Sequence, residues 1–187
     1  MDVWRLTEAE GVQALMITGD AMGRPLIEAL EAAANPPDTS SIFLITSTAA
    51  VFSPTVKDDF FRHFPNLLIV DGVGASEAGN NGMRLSTAGQ TTQLGGGPTF
   101  KPGEGTVVLG ENGLPLEVGS KEIGKIARSG HIPLEYYKDE KKSAEVFFEG
   151  ADGKRYSVPG DFAQVEEDGS ITLLGRGSVS INSGGEK

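Results

Sequence analysis

The chain has 187 residues, with 26 acidic against 16 basic side chains, a formal net charge of −10 and a pI near 4.7. Recognition of a phosphate backbone runs on clustered Lys and Arg, so this balance argues against a nucleic-acid-binding face. Cysteine is absent and there are only two histidines, which removes disulfides, thiolate chemistry and Cys- or His-built metal sites and leaves carboxylates as candidate metal ligands.

The opening MDVWRLTEAEG lacks the basic-then-apolar order of a secretory signal, and Trp4 reads as packing. The longest apolar runs, SIFLIT and NLLIV, fall far short of the ~20 residues that span a bilayer. We therefore expect no transmembrane segment and a soluble, cytoplasmic protein. QALMIT (13–18) reads as a strand. Pro25 is expected in the first turn of the helix LIEALEAAA, which Asn35, Pro36 and Pro37 end. SIFLIT (41–46) reads as a second strand. Ser53 is a candidate N-cap with Pro54 behind it, and Val56, Phe60 and Phe64 recur every four residues on one helical face. NLLIVDG is the third strand. Strands alternating with helices argue for a parallel α/β layer over residues 1–80.

In IVDGVGASEAG, Ile69 to Gly79, the third strand runs into two glycines and then presents Ser76 and Glu77. Glycines allow close backbone approach to a ligand, and the carboxyl ends of parallel strands are where α/β proteins bind ligands. Taken alone, these residues read first as a tight turn with a solvated Glu. Residues 81–97, rich in Gly, Thr and Asn and without period, read as a connecting or active-site loop. From 98 to 176 the pattern is short and β-rich. Asn112-Gly113, Asp152-Gly153 and Asp168-Gly169 suggest type I′ hairpin turns in a small antiparallel barrel or sandwich. The fold class expected is α/β followed by mostly β.

The order of these segments resembles the adenylate-forming enzymes, a superfamily that includes acyl-CoA synthetases, luciferases and peptide-synthetase adenylation domains. SSIFLITSTAAVFSP is similar to their SGGAPLSP strand and turn, and DGVGASE to their YGxTE motif. KEIGKIARSGHIPLEYYKDEKKSAEVF is similar to GEI…GYY, YSVPGDFAQVEEDGSITLLGR to TGD…GR, and SVSINSGGEK to the hinge that follows. The texture is closest to actinobacterial fatty-acid and steroid-side-chain acyl-CoA synthetases. No Gly-rich Ser/Thr loop ending in Lys precedes SIFLIT, and ITSTAA lacks the glycines and lysine that cradle a triphosphate. The catalytic lysine of the family's C-terminal domain has no counterpart either. The resemblance thus implies a fragment, itself inactive and with no catalytic residue of its own, in which 177–187 are the hinge and the start of the next domain.

The resemblance further implies ATP, Mg2+ and CoA with a small-molecule carboxylic acid. It sets Ala49 and Ala50 beside the adenine, and Gly72, Val73, Gly74, Ala75 and Ser76 around the adenine and α-phosphate. Val73 stands where an aromatic is usual, and Ser76 where Thr is usual. Glu77 matches the Mg2+ carboxylate, Asp161 the acceptor of both ribose hydroxyls, and Arg176 an arginine that reaches the same ribose. From the residues alone, Asp161 also reads as a turn Asp and Arg176 as a surface ion pair. Ser178 replaces the usual pivot Asp. Neither His63 nor His131 has a triad context. KDEKK (138–142) reads as a solvated turn or helix start, and GDAMGRP (19–25) as a possible wall of an acyl pocket. A second function class stays open: a non-catalytic α/β-plus-barrel module that binds a nucleotide or a partner.

Overall fold

The computed structural model describes residues 2–90 and 98–176. Contacts divide the chain into two compact units. One holds the described residues up to Gly72 together with 84–90, and the other holds Val73–Met83 and the residues from 98 onward.

The first unit is a parallel layer. Strands β1 (Ala14–Ile17), β2 (Leu44–Ser47) and the start of β3 (Leu68–Ala75) pair in that order and in one direction. Helices α1 (Asp2–Glu10), α2 (Gly19–Glu31) and α3 (Pro54–His63) accompany them. Alternation along the strands buries Ile17, Ile45 and Ile69 in one core with Ile27 and Leu30 of α2, Val56, Phe60 and Phe61 of α3, and Trp4. The expected spacing on α3 holds: Val56, Phe60 and Phe64 are all buried, and the Ser53 side chain accepts from the Val56 amide. Trp4 is fully buried and donates its indole N–H to the Leu26 carbonyl at 2.8 Å. Met16, on the opposite strand face, is 75% exposed.

Two elements depart from expectation. Helix α2 begins at Gly19, so Pro25 lies inside it rather than in its first turn. The missing proline N–H costs one helical bond. That cost is carried because the face with Gly23, Ile27 and Leu30 packs inward; a Cβ on Gly23 would already sit 3.0 Å from Val56 Cγ1. Residues 81–86, expected as the start of a loop, belong to strand β4 (Gly79–Ser86), whose middle residues Gly82 and Met83 pair antiparallel with β5 (Thr99–Pro102).

The second unit is antiparallel. Strand β11 (Ile171–Arg176) lies between β5 and β10 (Asp161–Val165), and β10 meets β7 (Gly124–Ser129). Strand β7 also pairs with β6 (Thr106–Leu109) and β9 (Arg155–Ser157), and β9 with β8 (Phe147–Glu149). Helix α4 (Glu140–Val146) starts within KDEKK, capped by the Asp139 side chain on the Lys142 amide. The three Asx-Gly turns are not of type I′, which needs positive φ at both central residues. Only Gly113, Gly153 and Gly169 have it, at 75°, 75° and 78°. Each glycine N–H instead returns to the carbonyl three residues earlier, on Gly110, Gly150 and Glu166 respectively. Each Asx oxygen accepts from the amide two residues on, at 2.9–3.1 Å. This is a type I turn closed by a left-handed glycine, the three-residue hairpin loop.

Candidate functional site

In the first unit the end of β2 turns sharply toward α3. The Ala50 amide bonds to the Thr48 carbonyl at 2.9 Å and Ala49 has φ of 68°. That combination is a γ-turn of the rare, strained hand. The turn is fastened by residues the sequence reading did not pick out. Ser47 Oγ accepts from the Gly19 amide, Val51 O from the Asp20 amide, and Asp20 Oδ1 from the Ser53 amide at 2.8 Å. Gly19 has φ of 51°, and a Cβ there would meet Val51 O at 2.3 Å. The GDAMGRP segment therefore clasps the Ala49–Ala50 turn, and its signal in the sequence was the Gly19-Asp20 pair. Because Ser47 is in register with Asp71, Gly72 comes to lie beside the same turn. A Cβ on Gly72 would meet nothing closer than 3.8 Å, so the fold itself does not demand glycine there.

Beyond this turn in the chain, Lys57 of α3 is buried and its Nζ pairs with Asp71 Oδ2. The ammonium also lies 5.4 Å from the Phe52 ring centroid. This pair, buried at its lysine end, ties α3 to the middle of β3, and the sequence reading missed it.

In the second unit, Val73, Gly74 and Ala75 are strand rather than loop, and Ser76 and Glu77 lie in the tight turn from β3 to β4. Gly74 is required sterically, since a Cβ there would come within 2.4 Å of Gly79 O. Val73 packs with the cluster of Phe100, Val108, Ile126, Ala163, Val165 and Ile171. Ser76 is exposed and Glu77 half-buried. Tyr136 donates its hydroxyl to Glu77 Oε1 at 2.6 Å. Among the described residues no group of three or more His, Asp or Glu side chains could hold a metal ion. A lone carboxylate still suits Mg2+, which is commonly held by one or two carboxylates, substrate phosphates and water.

Asp161 and Arg176 are direct partners across β10 and β11. The register slips by one residue immediately inward of them, between Phe162 and Ala163, and Gly160 and Gly175 adopt φ of 103° and 120°. A bulge with flanking left-handed glycines re-aims the strand ends, a device common beside binding sites. The structure thus brings together Ala49, Ala50 and Gly72 in one unit, and pairs Asp161 with Arg176 and Glu77 with Tyr136 in the other. Ser178 and the rest of 177–187 lie outside the described residues. His63 Nε2 sits 3.1 Å from Glu31 Oε1 and His131 is exposed.

No family model matches the chain. Among solved structures it is similar to a nonribosomal peptide synthetase in its α-methyl-L-serine-AMP bound form, with TM-score 0.81 and 20% identity over 95% of this chain and 20% of that one. It is likewise similar to a long-chain-fatty-acid-CoA ligase from Archaeoglobus fulgidus, with TM-score 0.76 and 21% identity over 94% of this chain and 36% of that one. The fold is that of the adenylate-forming enzymes, as a segment of their architecture. Among curated sequences the whole chain aligns at 50% identity with 34% of the 3-oxocholest-4-en-26-oate–CoA ligase of Rhodococcus rhodochrous. It aligns at 52% with 33% of the medium/long-chain-fatty-acid–CoA/3-oxocholest-4-en-26-oate–CoA ligase of Mycobacterium tuberculosis, and at 42% with 33% of the medium-chain acyl-CoA ligase Mig of Mycobacterium avium. Along its whole length the chain is similar to a segment of these acyl-CoA ligases, and it spans about a third of their length.

Proposed function

We propose that the chain is the nucleotide-site portion of an ATP-dependent acyl-CoA ligase acting on fatty or steroid side-chain acids. The alignment of the entire chain with ligases of that description, at 42–52% identity, carries the reading. In the reaction a carboxylate oxygen of the acid attacks the α-phosphorus of ATP and pyrophosphate leaves. The CoA thiolate then attacks the acyl carbonyl and AMP leaves. The chain's own residues hold the nucleotide. Ala49 and Ala50 flank the adenine, and Gly72, Val73, Gly74 and Ala75 belong to the segment that wraps the adenine and α-phosphate. The Ser76 hydroxyl donates to an α-phosphate oxygen. Asp161 accepts from the ribose hydroxyls and Arg176 reaches the same sugar. Glu77 would hold Mg2+, whose charge offsets that of the phosphates when it is bound. Catalysis here is positioning and electrostatics rather than covalent participation by the protein.

On this reading the α/β subdomain expected at 1–80 gives way to the second unit after Gly72, the antiparallel subdomain includes 98–176, 177–187 are the hinge, and the enzyme works in the cytoplasm. The test is a pyrophosphate-exchange screen of the full-length ligase against medium-chain, long-chain and steroid side-chain acids. Acid-dependent exchange followed by CoA-dependent thioester formation is expected, and silence with every acid overturns the reading in favour of a non-catalytic binding module. The 187-residue chain on its own is expected to give no exchange, since no Gly-rich Ser/Thr loop ending in Lys is present to hold the triphosphate.

A further inference from the structure

We propose that Arg128 and Tyr136 are positioning residues that brace the β3–β4 turn and preset the Glu77 carboxylate for the nucleotide-bound cation. The inference rests on the reading of Glu77 as the ligand of that ion.

Ser76 beside it is exposed, and a glutamate on such a turn has several torsions to freeze before it can serve as a ligand. Two side chains supply the restraint. Tyr136 donates its hydroxyl to Glu77 Oε1 at 2.6 Å, the length of a charge-assisted bond. Arg128 Nη1 donates to the Asn80 carbonyl just past Glu77, and Asn80 Oδ1 in turn accepts from the Gly82 amide at 3.0 Å. The carboxylate is held at its head and the turn at its base.

Both donors are mounted on one row of the antiparallel sheet. Arg128 of β7 lies opposite Ser157 of β9, and Ser157 opposite Phe147 of β8, which sets their side chains on one face. Ser157 and Phe147 are buried. The Tyr136 ring packs against Phe147 with centroids 5.5 Å apart. Its segment is pinned twice more: the Tyr136 amide donates to Ser143 Oγ at 2.8 Å, and Arg155, whose guanidinium lies 5.4 Å from the Phe147 ring centroid, donates to the Leu134 carbonyl. The restraint therefore closes on itself, from the turn through Arg128, Ser157, Phe147 and Tyr136 back to Glu77.

The Tyr136 bond does not compete with an ion. A carboxylate oxygen has two lone pairs, so either oxygen of Glu77 can meet a cation while the phenol stays bound. Arg128 and Tyr136 supply orientation in advance, so the freedom that an unbraced glutamate would lose on taking the ion is already gone. Both act through Glu77 and its turn.

The test is the ATP affinity of the full-length ligase, measured by calorimetry without acid or CoA, once in Mg2+ and once in chelator. The ratio of the two affinities reports what the ion contributes to binding and involves no turnover. Tyr136→Phe keeps the ring and its Phe147 contact, and we expect it to shrink that ratio about tenfold, the lower end of the loss usual when a partner of a metal ligand is removed. Arg128→Met should shrink it too, and Arg128→Lys, which keeps a donor for the Asn80 carbonyl, should shrink it less. On a Glu77→Gln background neither Tyr136→Phe nor Arg128→Met should change the ratio further. A ratio unmoved by Tyr136→Phe or by Arg128→Met, or an equal loss of affinity with and without Mg2+, overturns the inference; if Glu77→Gln still removes the benefit of Mg2+, the metal reading stands. A Glu77→Gln variant that gains as much from Mg2+ as the unsubstituted protein overturns the metal reading and the inference with it.

Discussion

Asp161 and Glu77 are both carboxylates, yet their proposed work differs, and the difference is measurable. On the proposed reading, hydrogen bonds from the ribose to Asp161 would exist before and during the reaction, so their loss would fall on binding. A hydrogen bond to a charged group contributes about 1.5–3 kcal/mol, so Asp161→Ala should weaken ATP binding about ten- to a hundred-and-fifty-fold and raise KM with little change in kcat. Glu77→Gln removes charge that matters most as charge develops at the α-phosphate, so kcat should fall far more than ATP affinity. Steady-state kinetics of both variants in the full-length ligase decide it; the opposite split would exchange the two roles. Asp161 and Arg176 are paired across the strands beside a register slip, with positive φ at the glycines 160 and 175. Glycine itself carries two meanings within three residues. Gly74 is demanded by the Gly79 carbonyl, whereas Gly72 is under no such demand. Spacing in the sequence makes the two look alike.

The hairpins show how an element can be legible while its geometry is not. Each Asx-Gly pair marks its turn correctly, but a single left-handed residue rather than two makes a three-residue loop in place of a type I′ turn. In the β8–β9 hairpin this loop holds an ionisable pair. Tyr156 is buried and donates to Asp152 Oδ2 at 2.9 Å. Burial, aided by that hydrogen bond and the carboxylate charge, pushes the Tyr156 phenol up to about 12. Asp152 is held below the usual carboxylate range: burial acts upward, but the Lys154 amide, the Tyr156 hydroxyl and the Lys154 charge together outweigh it. The linkage follows from these directions. A phenol with a folded pKa above its unfolded value of ~10 stabilises the fold fully below pH ~10, and the gain is lost as pH rises through about 12. The Asp152 contribution is present above the unfolded carboxylate pKa of ~3.9 and is lost in acid. Thermal unfolding of the unsubstituted chain and of Tyr156→Phe between pH 9 and about 12 should therefore converge at the alkaline end, with the unsubstituted chain the steeper. Parallel curves would show that Tyr156 is not the responsible group. Helix α2 teaches the same lesson in reverse. Pro25 was a sound N1 residue by local rules, and the packing face through Gly23 overrode it.

Across the whole molecule, two compact units invite two probes. Trp4 is the chain's single tryptophan and is fully buried in the first unit, so its fluorescence reports that unit. Lys57→Met keeps the apolar stem but leaves Asp71, whose side chain is 21% exposed, without its ammonium. Removing one partner of a buried pair is costly, moderated here by that exposure, so the Trp4-reported stability should drop by about 2 kcal/mol in denaturant. The alkaline behaviour of Tyr156 in the second unit should stay as it was. A drop below about 0.5 kcal/mol would mean that the Lys57–Asp71 pair does no more than a surface ion pair does. What the sequence by itself determined were the features set by near neighbours and by period: the strand–helix alternation of the first unit, the Ser53 cap, the α3 face of Val56, Phe60 and Phe64, the positions of the turns, and the motif order by which the chain resembles adenylate-forming enzymes. The tertiary structure alone decided which distant groups satisfy one another: Tyr136 on Glu77, Lys57 on Asp71, Asp20 on Ser53, Asp161 opposite Arg176, and the conversion of 81–86 from apparent loop to strand. The reason is physical. Caps, turns and amphipathic faces are written within a few residues of chain, but the partner of a buried polar group, and the strand that an edge will pair with, depend on which surfaces the packed core brings into contact.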